Sequence, residues 1–224
     1  MQTYPANVAR TTTTRGSALT TNKVLRNTYL LLGATLAFSA LTAGISMALN
    51  VPFMGLWMLL PYFGILYAVN KTQNSSWGIF WVFALTGFLG LTLGPILNAY
   101  LTMLPNGSQV VMTALGATAA VFLGLSAYAV KSERDFSFMG GFLMVGLIGA
   151  FVLGLVAFFF EMSTLSLVVS GLFVLLSSGL ILYQTSQIIH GGETNYITAT
   201  VTLYVSIYNL FTSLLHLLGM ASDD

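Results

Sequence analysis

Few residues of this chain could carry acid–base, nucleophilic or metal-binding chemistry. Its 224 residues include two histidines and no cysteine, so the sequence excludes disulfides, cysteine nucleophiles and cysteine-ligated metals. His216 is the one ionisable side chain well inside an apolar stretch, whereas Glu161 and Glu193 stand at the ends of such stretches. A buried ionisable residue is a functional candidate because its burial is costly. A lone histidine, however, also fits the role of a neutral, hydrogen-bonded side chain.

The usual catalytic patterns are missing from the sequence. A transition-metal centre needs several histidine, carboxylate or thiolate ligands, and His190 and His216 are too widely separated to supply them. Gly124-Leu125-Ser126 resembles a nucleophile segment only in its letters, since no base is placed to activate the serine. There is no His-Glu-x-x-His motif, phosphate loop or dinucleotide fingerprint. We therefore predict a protein that is not an enzyme and uses no cofactor or metal.

The composition indicates that lipid, rather than water, surrounds most of the elements that position these residues. Charged residues make up 6% of the chain, against about 25% in ordinary soluble domains. Hydrophobic residues make up 56%, and the mean hydropathy is +0.86. The net charge of +1 offers no basic field that would attract nucleic acid. The chain is therefore predicted to be an integral membrane protein.

Seven apolar segments are long enough to cross a bilayer, for which a helix needs about 20 residues. Polar or turn-forming joints separate these segments, and the clearest joint is the loop at 70–76. We predict an all-α bundle of seven transmembrane helices at about 27–50, 52–69, 77–101, 109–130, 139–160, 164–189 and 196–219. A flexible tail at 1–26 would precede this domain, and a short acidic end at 220–224 would follow it.

The distribution of basic residues predicts the orientation of the bundle. Lysine and arginine accumulate in the short loops on the cytoplasmic side of a membrane. With seven crossings, all seven basic residues fall on the side of the N-terminus: Arg10, Arg15, Lys23 and Arg26 in the tail, Lys71 in one loop, and Lys131 and Arg134 in another. We therefore expect the N-terminus to be cytoplasmic and the C-terminus periplasmic. The tail composition also allows an organellar transit peptide, although it shows no clear amphipathic repeat.

Small residues and prolines inside the segments predict close helix packing and a bend. Gly90 and Gly94, Gly116 and Ala120, and Ala150 and Gly154 each lie four residues apart, a spacing that allows two helix backbones to approach closely in lipid. Pro61 and Pro95 fall inside apolar runs. Because Pro95 directly follows Gly94, the third helix is expected to bend or break there.

Three stretches in the predicted third, fifth and last spans carry a resemblance to a known family. These stretches are Thr86–Leu97, Lys131–Leu143, and Leu203–Phe211 with the following Leu214–Gly219. They resemble the Bax inhibitor motif family of seven-span membrane proteins, and the likeness extends from about Lys23 to Gly219. His190–Ile197 and Asn22–Tyr29 are similar to the gamma-proteobacterial branch whose members modulate the membrane-anchored AAA protease FtsH. The resemblance implies a protein of the bacterial inner membrane that binds this protease and restrains its degradation of membrane substrates.

The resemblance also implies an alternative function, but two positions depart from it. Other members of the family are described as calcium leaks controlled by a pair of intramembrane aspartates, which could share a proton and respond to pH. The matching positions here are Gln184 and Ser206, and neither side chain titrates near neutral pH. A proton-gated calcium mechanism therefore does not carry over. A leak pathway lined by polar residues such as Ser186 and Asn209 remains the second hypothesis, although such residues could equally hydrogen-bond between helices.

Overall fold

The computed structural model describes residues 13–132 and 134–222, with side chains from Lys23 onward. The described part of the chain is helical and contains no strand. Its seven α-helices are α1 (Thr13–Ala48), α2 (Leu59–Thr72), α3 (Ser76–Met103), α4 (Gly107–Ser132), α5 (Gly140–Phe159), α6 (Ser163–Ile189) and α7 (Tyr196–Ala221). Short 3-10 turns, Gly55–Met58 and Ser137–Met139, lead into α2 and α5. The predicted all-α class is confirmed.

Six of these helices are long and apolar enough to span a bilayer; α2 is the exception. It has 14 residues, which corresponds to a length of about 21 Å. The predicted second segment, 52–69, begins instead with an irregular stretch that contains Pro52 and a 3-10 turn. Proline lacks an N–H group and fixes its own backbone angle, which explains why regular helix does not extend through this stretch.

The first helix begins earlier than expected. It starts at Thr13 rather than near Asn27, so residues 13–26 of the predicted flexible tail are helical. Several residues just before the apolar segment, including Ala18 and Leu19, favour helix, and extending an existing helix costs far less than nucleating a new one. Of the basic tail residues, Lys23 and Arg26 are exposed on α1, Arg15 lies in its first turns, and Arg10 lies outside the described residues.

Helix α7 is the centre of the bundle. It packs against α1, α3, α4 and α6, and it contains Tyr204, the largest fully buried side chain. Helix α2 packs on α3, and α5 packs on α6, so these two helices lie at the periphery. Leu85 of α3, Ile181 of α6 and Leu203 of α7 meet in the main apolar core. The polar side chains of α7 are therefore held between other helices.

The closest helix pair is α1 and α3, and glycine makes it possible. A Cβ atom on Gly90 would overlap the Thr42 hydroxyl and the Ser39 carbonyl, and one on Gly94 would overlap the Ser46 side chain. Interhelical contact at this small-residue pair is therefore confirmed.

The other two small-residue pairs differ from each other. Ala150 is buried against α6, and a Cβ on Gly154 would lie 3.6 Å from Val169. A Cβ on Gly116, by contrast, would have no neighbouring atom within 4 Å, and Ala120 is exposed. The expectation of a close helix contact within the bundle is thus wrong for the α4 pair. The spacing shows that small residues line one face of a helix, but it does not show whether another helix packs on that face.

We predict that Gly90→Ala destabilises the protein, whereas Gly116→Ala, the matched control, does not. The extra methyl at position 90 has to push backbone apart, and such overpacking costs about 1–3 kcal/mol. At position 116 the space is open, and alanine favours helix over glycine by up to about 1 kcal/mol. The measurement is the unfolding temperature of both variants in the same detergent. Equal shifts would contradict the close α1–α3 contact.

Candidate functional site

Pro95 lies inside α3, and a side chain from α1 replaces the hydrogen bond that this proline cannot make. Proline has no N–H, so the carbonyl of Leu91, four residues earlier, loses its helical donor. The Ser46 hydroxyl donates to the Leu91 oxygen at 2.7 Å, and Ser46 is fully buried. Helix α3 is continuous from Ser76 to Met103, so a break at Gly94-Pro95 is not observed, and a bend there stays a prediction.

Hydroxyl groups form a second contact between α1, α3 and α7. The Tyr204 hydroxyl lies 2.5 Å from the Ser39 hydroxyl and donates to the Thr86 carbonyl at 3.3 Å. One turn further along α7, the Tyr208 hydroxyl lies 3.1 Å from that of Thr92. All of these residues except Ser39 lie in the stretches that carry the family resemblance, but none was assigned a role in hydrogen bonding from the sequence.

A repeat in α1 could have revealed part of this hydroxyl contact. Thr28, Thr35, Ser39 and Ser46 are all buried, and their spacings of 7, 4 and 7 residues place them on one helix face. A helix face lined with hydroxyls inside a membrane indicates a partner helix, because polar groups in lipid need hydrogen-bond partners.

The two positions of the missing carboxylate pair are buried on neighbouring helices. Gln184 lies on α6 and is 5% exposed, while Ser206 lies on α7 and is fully buried. The Ser206 hydroxyl donates to the Thr202 carbonyl of its own helix at 2.7 Å. The Gln184 amide nitrogen has no hydrogen-bond partner among the described residues. No hydrogen bond joins the two side chains, so this position holds neither a titrating pair nor a polar bridge.

The α4–α5 connection is attached to the end of α6 by two side chains, those of Ser186 and Gln187. The Ser186 hydroxyl accepts from the Phe136 N–H at 3.0 Å and donates to the Arg134 carbonyl at 3.2 Å. The Gln187 side chain lies 2.8 Å from the Ser137 hydroxyl, and His190 Nδ1 lies 2.9 Å from the Ser186 carbonyl. Ser186, a candidate pathway residue, therefore holds a loop in place.

Asp135 organises the start of the 3-10 turn in the same connection. Its carboxylate accepts from the Ser137 hydroxyl at 2.5 Å and from the Ser137 N–H at 2.8 Å. These two hydrogen bonds, helped by the nearby His190, hold the pKa of the Asp135 carboxyl below its usual value. The carboxylate form is therefore maintained well below neutral pH, which keeps this turn intact.

A second connection at this end of the bundle is fixed by Asn195, the N-cap of α7. Its side-chain oxygen accepts from the Ile197 N–H at 2.9 Å, while its amide donates to the Gln73 carbonyl at 3.1 Å and to the Asn74 side chain at 3.0 Å. Glu193 accepts from the Asn195 N–H at 2.7 Å. Glu193 is thus part of the turn between α6 and α7.

The remaining ionisable candidates form no reactive group. His216 is partly buried, and its Nε2 lies 3.3 Å from the Ser166 hydroxyl of α6. Glu161 is exposed in the α5–α6 turn with a φ of 50°. Within the residues that the structure describes, no three histidine, aspartate or glutamate side chains are placed to hold a metal ion.

Two cavities open on the sides of the bundle. The α1–α4 cleft, about 510 Å³, is lined by α1, α3, α4 and α7. The α2–α5 cleft, about 550 Å³, is lined by α2, α3, α5, α6 and α7. Tyr208 lines both clefts. Both volumes lie in the range of small-molecule sites, about 300–1,000 Å³.

These features define a class of protein: an all-helical membrane bundle held by hydroxyl contacts and glycine packing, with side clefts and without a titratable pair between α6 and α7. The family model for the inhibitor of apoptosis-promoting Bax1 matches residues 21–223. The chain belongs to this Bax inhibitor family, as the resemblance implied.

Relatives of known name cover almost the whole chain. It is 52% identical over 212 residues to the "Modulator of FtsH protease YccA" of Escherichia coli, which covers 94% of this chain and 95% of the relative. In a second Escherichia coli strain the matching protein is named "Inner membrane protein YccA". An uncharacterized membrane protein of Vibrio cholerae is 49% identical over 208 residues, covering 92% of this chain and 93% of the relative. These names point to a regulatory membrane protein rather than an enzyme.

We predict that Ser46→Ala destabilises the protein by about 1–3 kcal/mol, because it leaves the buried Leu91 carbonyl unpaired. Pro95→Ala restores a helical N–H to that carbonyl. Removing the serine in the Pro95→Ala background should therefore cost much less than in the natural chain, and a double-mutant cycle of unfolding temperatures measures this coupling. The control is Ser178→Ala, since the Ser178 hydroxyl donates to the Val174 carbonyl inside its own helix. If the effects of the two substitutions on the unfolding temperature are additive, the Ser46 hydroxyl does not replace the helical N–H that Pro95 lacks.

Proposed function

We propose that this chain is a bacterial inner-membrane protein that binds the membrane-anchored AAA protease FtsH and restrains its degradation of membrane substrates. The observation that carries the proposal is the 52% identity, over nearly the full length, to a protein named as a modulator of this protease. The lack of a carboxylate pair at Gln184 and Ser206 adds to it, because the buried interior then offers no proton-controlled step. The ion-leak alternative is not favoured for the same reason.

We further propose that the bundle crosses the membrane seven times, with its N-terminus in the cytoplasm. Val24 of α1, Ile188 of α6 and Ala199 of α7 form one apolar cluster, which puts the start of α1 beside the start of α7. Asn195 binds the α2–α3 turn at this same end. Since α1 leads away from this end and α3 begins at it, the intervening segment has to return through the bundle.

The length of the intervening segment fits such a return. The 3-10 turn Gly55–Met58 and the 14 residues of α2 together extend over about 29 Å, close to the roughly 30 Å hydrocarbon thickness of a bilayer. Five basic residues have described side chains. They lie in the first half of α1, in the last turns of α2 and α4, and just after α4: Lys23, Arg26, Lys71, Lys131 and Arg134. This end would therefore face the cytoplasm.

Because the chain has no cysteine, single cysteines can test the topology. We expect a membrane-impermeant maleimide added to intact spheroplasts to label Ser108→Cys, in the exposed α3–α4 turn, but not Ser75→Cys, in the exposed α2–α3 turn. After detergent permeabilisation both variants should react. Labelling of Ser75→Cys in intact spheroplasts would contradict seven crossings with a cytoplasmic N-terminus.

The proposal assigns a role to the beginning of the chain. An AAA motor has to engage a segment that it can unfold before it can pull on a membrane protein. Residues 1–26, which are helical from Thr13 onward, would lie on the side of that motor. The segment that the motor engages would include the basic residues Arg10, Arg15, Lys23 and Arg26. The helices of the bundle would provide the contact within the membrane.

Deleting residues 2–20 is expected to lengthen the lifetime of the protein in cells with active FtsH, because the motor loses the segment that it engages. In cells with a catalytically inactive FtsH, the full chain and the deletion should have the same lifetime. Deleting residues 222–224, at the opposite end of the bundle, serves as the control and should change nothing. Purification of the cross-linked full chain in detergent should recover FtsH, and its consistent absence would refute the binding proposal.

A further inference from the structure

The α2–α5 cleft has the composition of a small-molecule site rather than of a simple gap between helices. Its walls are mainly aromatic and aliphatic, and they include Phe63 of α2, Phe151 of α5 and Phe173 of α6. Among the described residues, no lysine, arginine, histidine, aspartate or glutamate lines it. Three polar side chains do: Tyr62, Tyr208 and Asn209. Ligand sites of this kind combine apolar walls with a small number of convergent polar groups.

Two of these polar side chains lack partners within the described part of the chain. Tyr208 has its hydroxyl 3.1 Å from that of Thr92. The Tyr62 hydroxyl and the Asn209 amide make no hydrogen bond to a described residue. Asn209 lies on α7, which is long and apolar enough to span a bilayer, and Tyr62 lies on α2, which the proposed topology also places in the membrane. There, an unpaired polar group costs several kcal/mol because lipid chains cannot bond to it. A polar group bound inside the cleft would therefore stabilise the Tyr62 phenol and the Asn209 amide.

The α1–α4 cleft provides an internal comparison. It is similar in size, but the polar side chains on its walls are already paired. The Ser39 hydroxyl bonds to Tyr204, and the Thr118 hydroxyl donates to the Ala114 carbonyl at 2.7 Å. Lipid tails alone could fill that cleft without leaving a polar side chain unpaired. Of these two clefts, as lined by the described residues, it is the α2–α5 cleft that combines an apolar wall with unpaired hydrogen-bonding groups.

We propose that the α2–α5 cleft binds an uncharged, membrane-soluble amphiphile whose head carries carbonyl and hydroxyl groups. The Tyr62 hydroxyl donates to the carbonyl of the head group, and the Asn209 amide, with both a donor and an acceptor, bonds to the hydroxyl. A charged head group is disfavoured because no charged side chain is present to compensate its desolvation.

The size of the cleft excludes a partner helix as the occupant. A helix about 10 Å in diameter would fill 550 Å³ within roughly 7 Å of its length, or about five residues. A transmembrane partner helix is about 30 Å long, so it could not be accommodated.

Binding can be measured on the purified full-length chain, without any protease. The probes are 1,2-dioctanoylglycerol, which has ester carbonyls, a hydroxyl and no charge, and dioctanoylphosphatidic acid, which has the same chains and an anionic head. The neutral probe should raise the unfolding temperature in detergent and bind saturably, as followed with radiolabelled probe. The anionic probe should bind at least tenfold more weakly. Equal binding of both probes, or no saturable binding of the neutral one, would overturn the proposal.

Substitutions of Tyr62 and Asn209 test whether the neutral probe binds at these two unpaired side chains. Tyr62→Phe and Asn209→Leu keep the approximate size of each side chain but remove its polar group. Combining them should weaken binding of dioctanoylglycerol about tenfold, as expected for the net loss of one or two hydrogen bonds. Tyr67→Phe is the matched control, because Tyr67 lies on the same helix, is 68% exposed and does not line the cleft.

The two single variants are also measured, because the double variant could lose binding through a folding defect. The unfolding temperature of each single variant without probe shows whether the bundle is intact. A several-fold weaker affinity in an intact single variant supports the site. Unchanged affinity in both single variants, with Tyr67→Phe also unchanged, would mean that the amphiphile does not bind at Tyr62 and Asn209.

Discussion

The structure depends on one constraint, which is that a polar group inside lipid is costly unless it has a hydrogen-bond partner. A bilayer core offers no water, so backbone amides pair inside helices, and a side chain can supply a partner where the helix lacks one. Ser46 provides such a partner. Pro95 removes one helical donor from α3, and a hydroxyl from α1 supplies a donor to the same carbonyl. The side chain reaches that carbonyl because Gly90 and Gly94 let the two helices approach so closely.

The same constraint explains why this polar interior is structural rather than reactive. The Tyr204 hydroxyl bonds both to the Ser39 hydroxyl and to the Thr86 carbonyl, which links three helices, and all three residues are buried. Hydroxyls can exchange donor and acceptor roles without carrying charge, so they join helices at a modest cost in desolvation. A carboxylate pair in their place would have to share a proton or pair with a cation. With Gln184 and Ser206 at the two positions of that pair, the bundle keeps its packing without a titrating centre.

The sequence predicted the class, the family and most helices, because long apolar segments and polar joints each report a local property. It did not predict the start of α1 at Thr13, since the residues before Asn27 are polar and yet continue the helix. It also did not distinguish Gly90 and Gly94, which lie against α1, from Gly116, where an added Cβ would have no neighbour within 4 Å. Both small pairs have the same spacing, and the difference depends on which helices become neighbours. The hydrogen bonds of Ser46 and Tyr204 depend on the same tertiary arrangement.

One end of the bundle and its sides offer different kinds of surface to other molecules. At the end that holds the starts of α1 and α7, the Asn195 and Ser186 side chains fix two connections against neighbouring turns. A pre-ordered surface loses little conformational entropy when another protein binds to it. The sides instead contain two clefts of similar volume, and their polar side chains are satisfied in one and unsatisfied in the other. The proposed recognition of an amphiphile between α2 and α5 therefore depends on unpaired hydrogen-bonding groups rather than on a titrating pair.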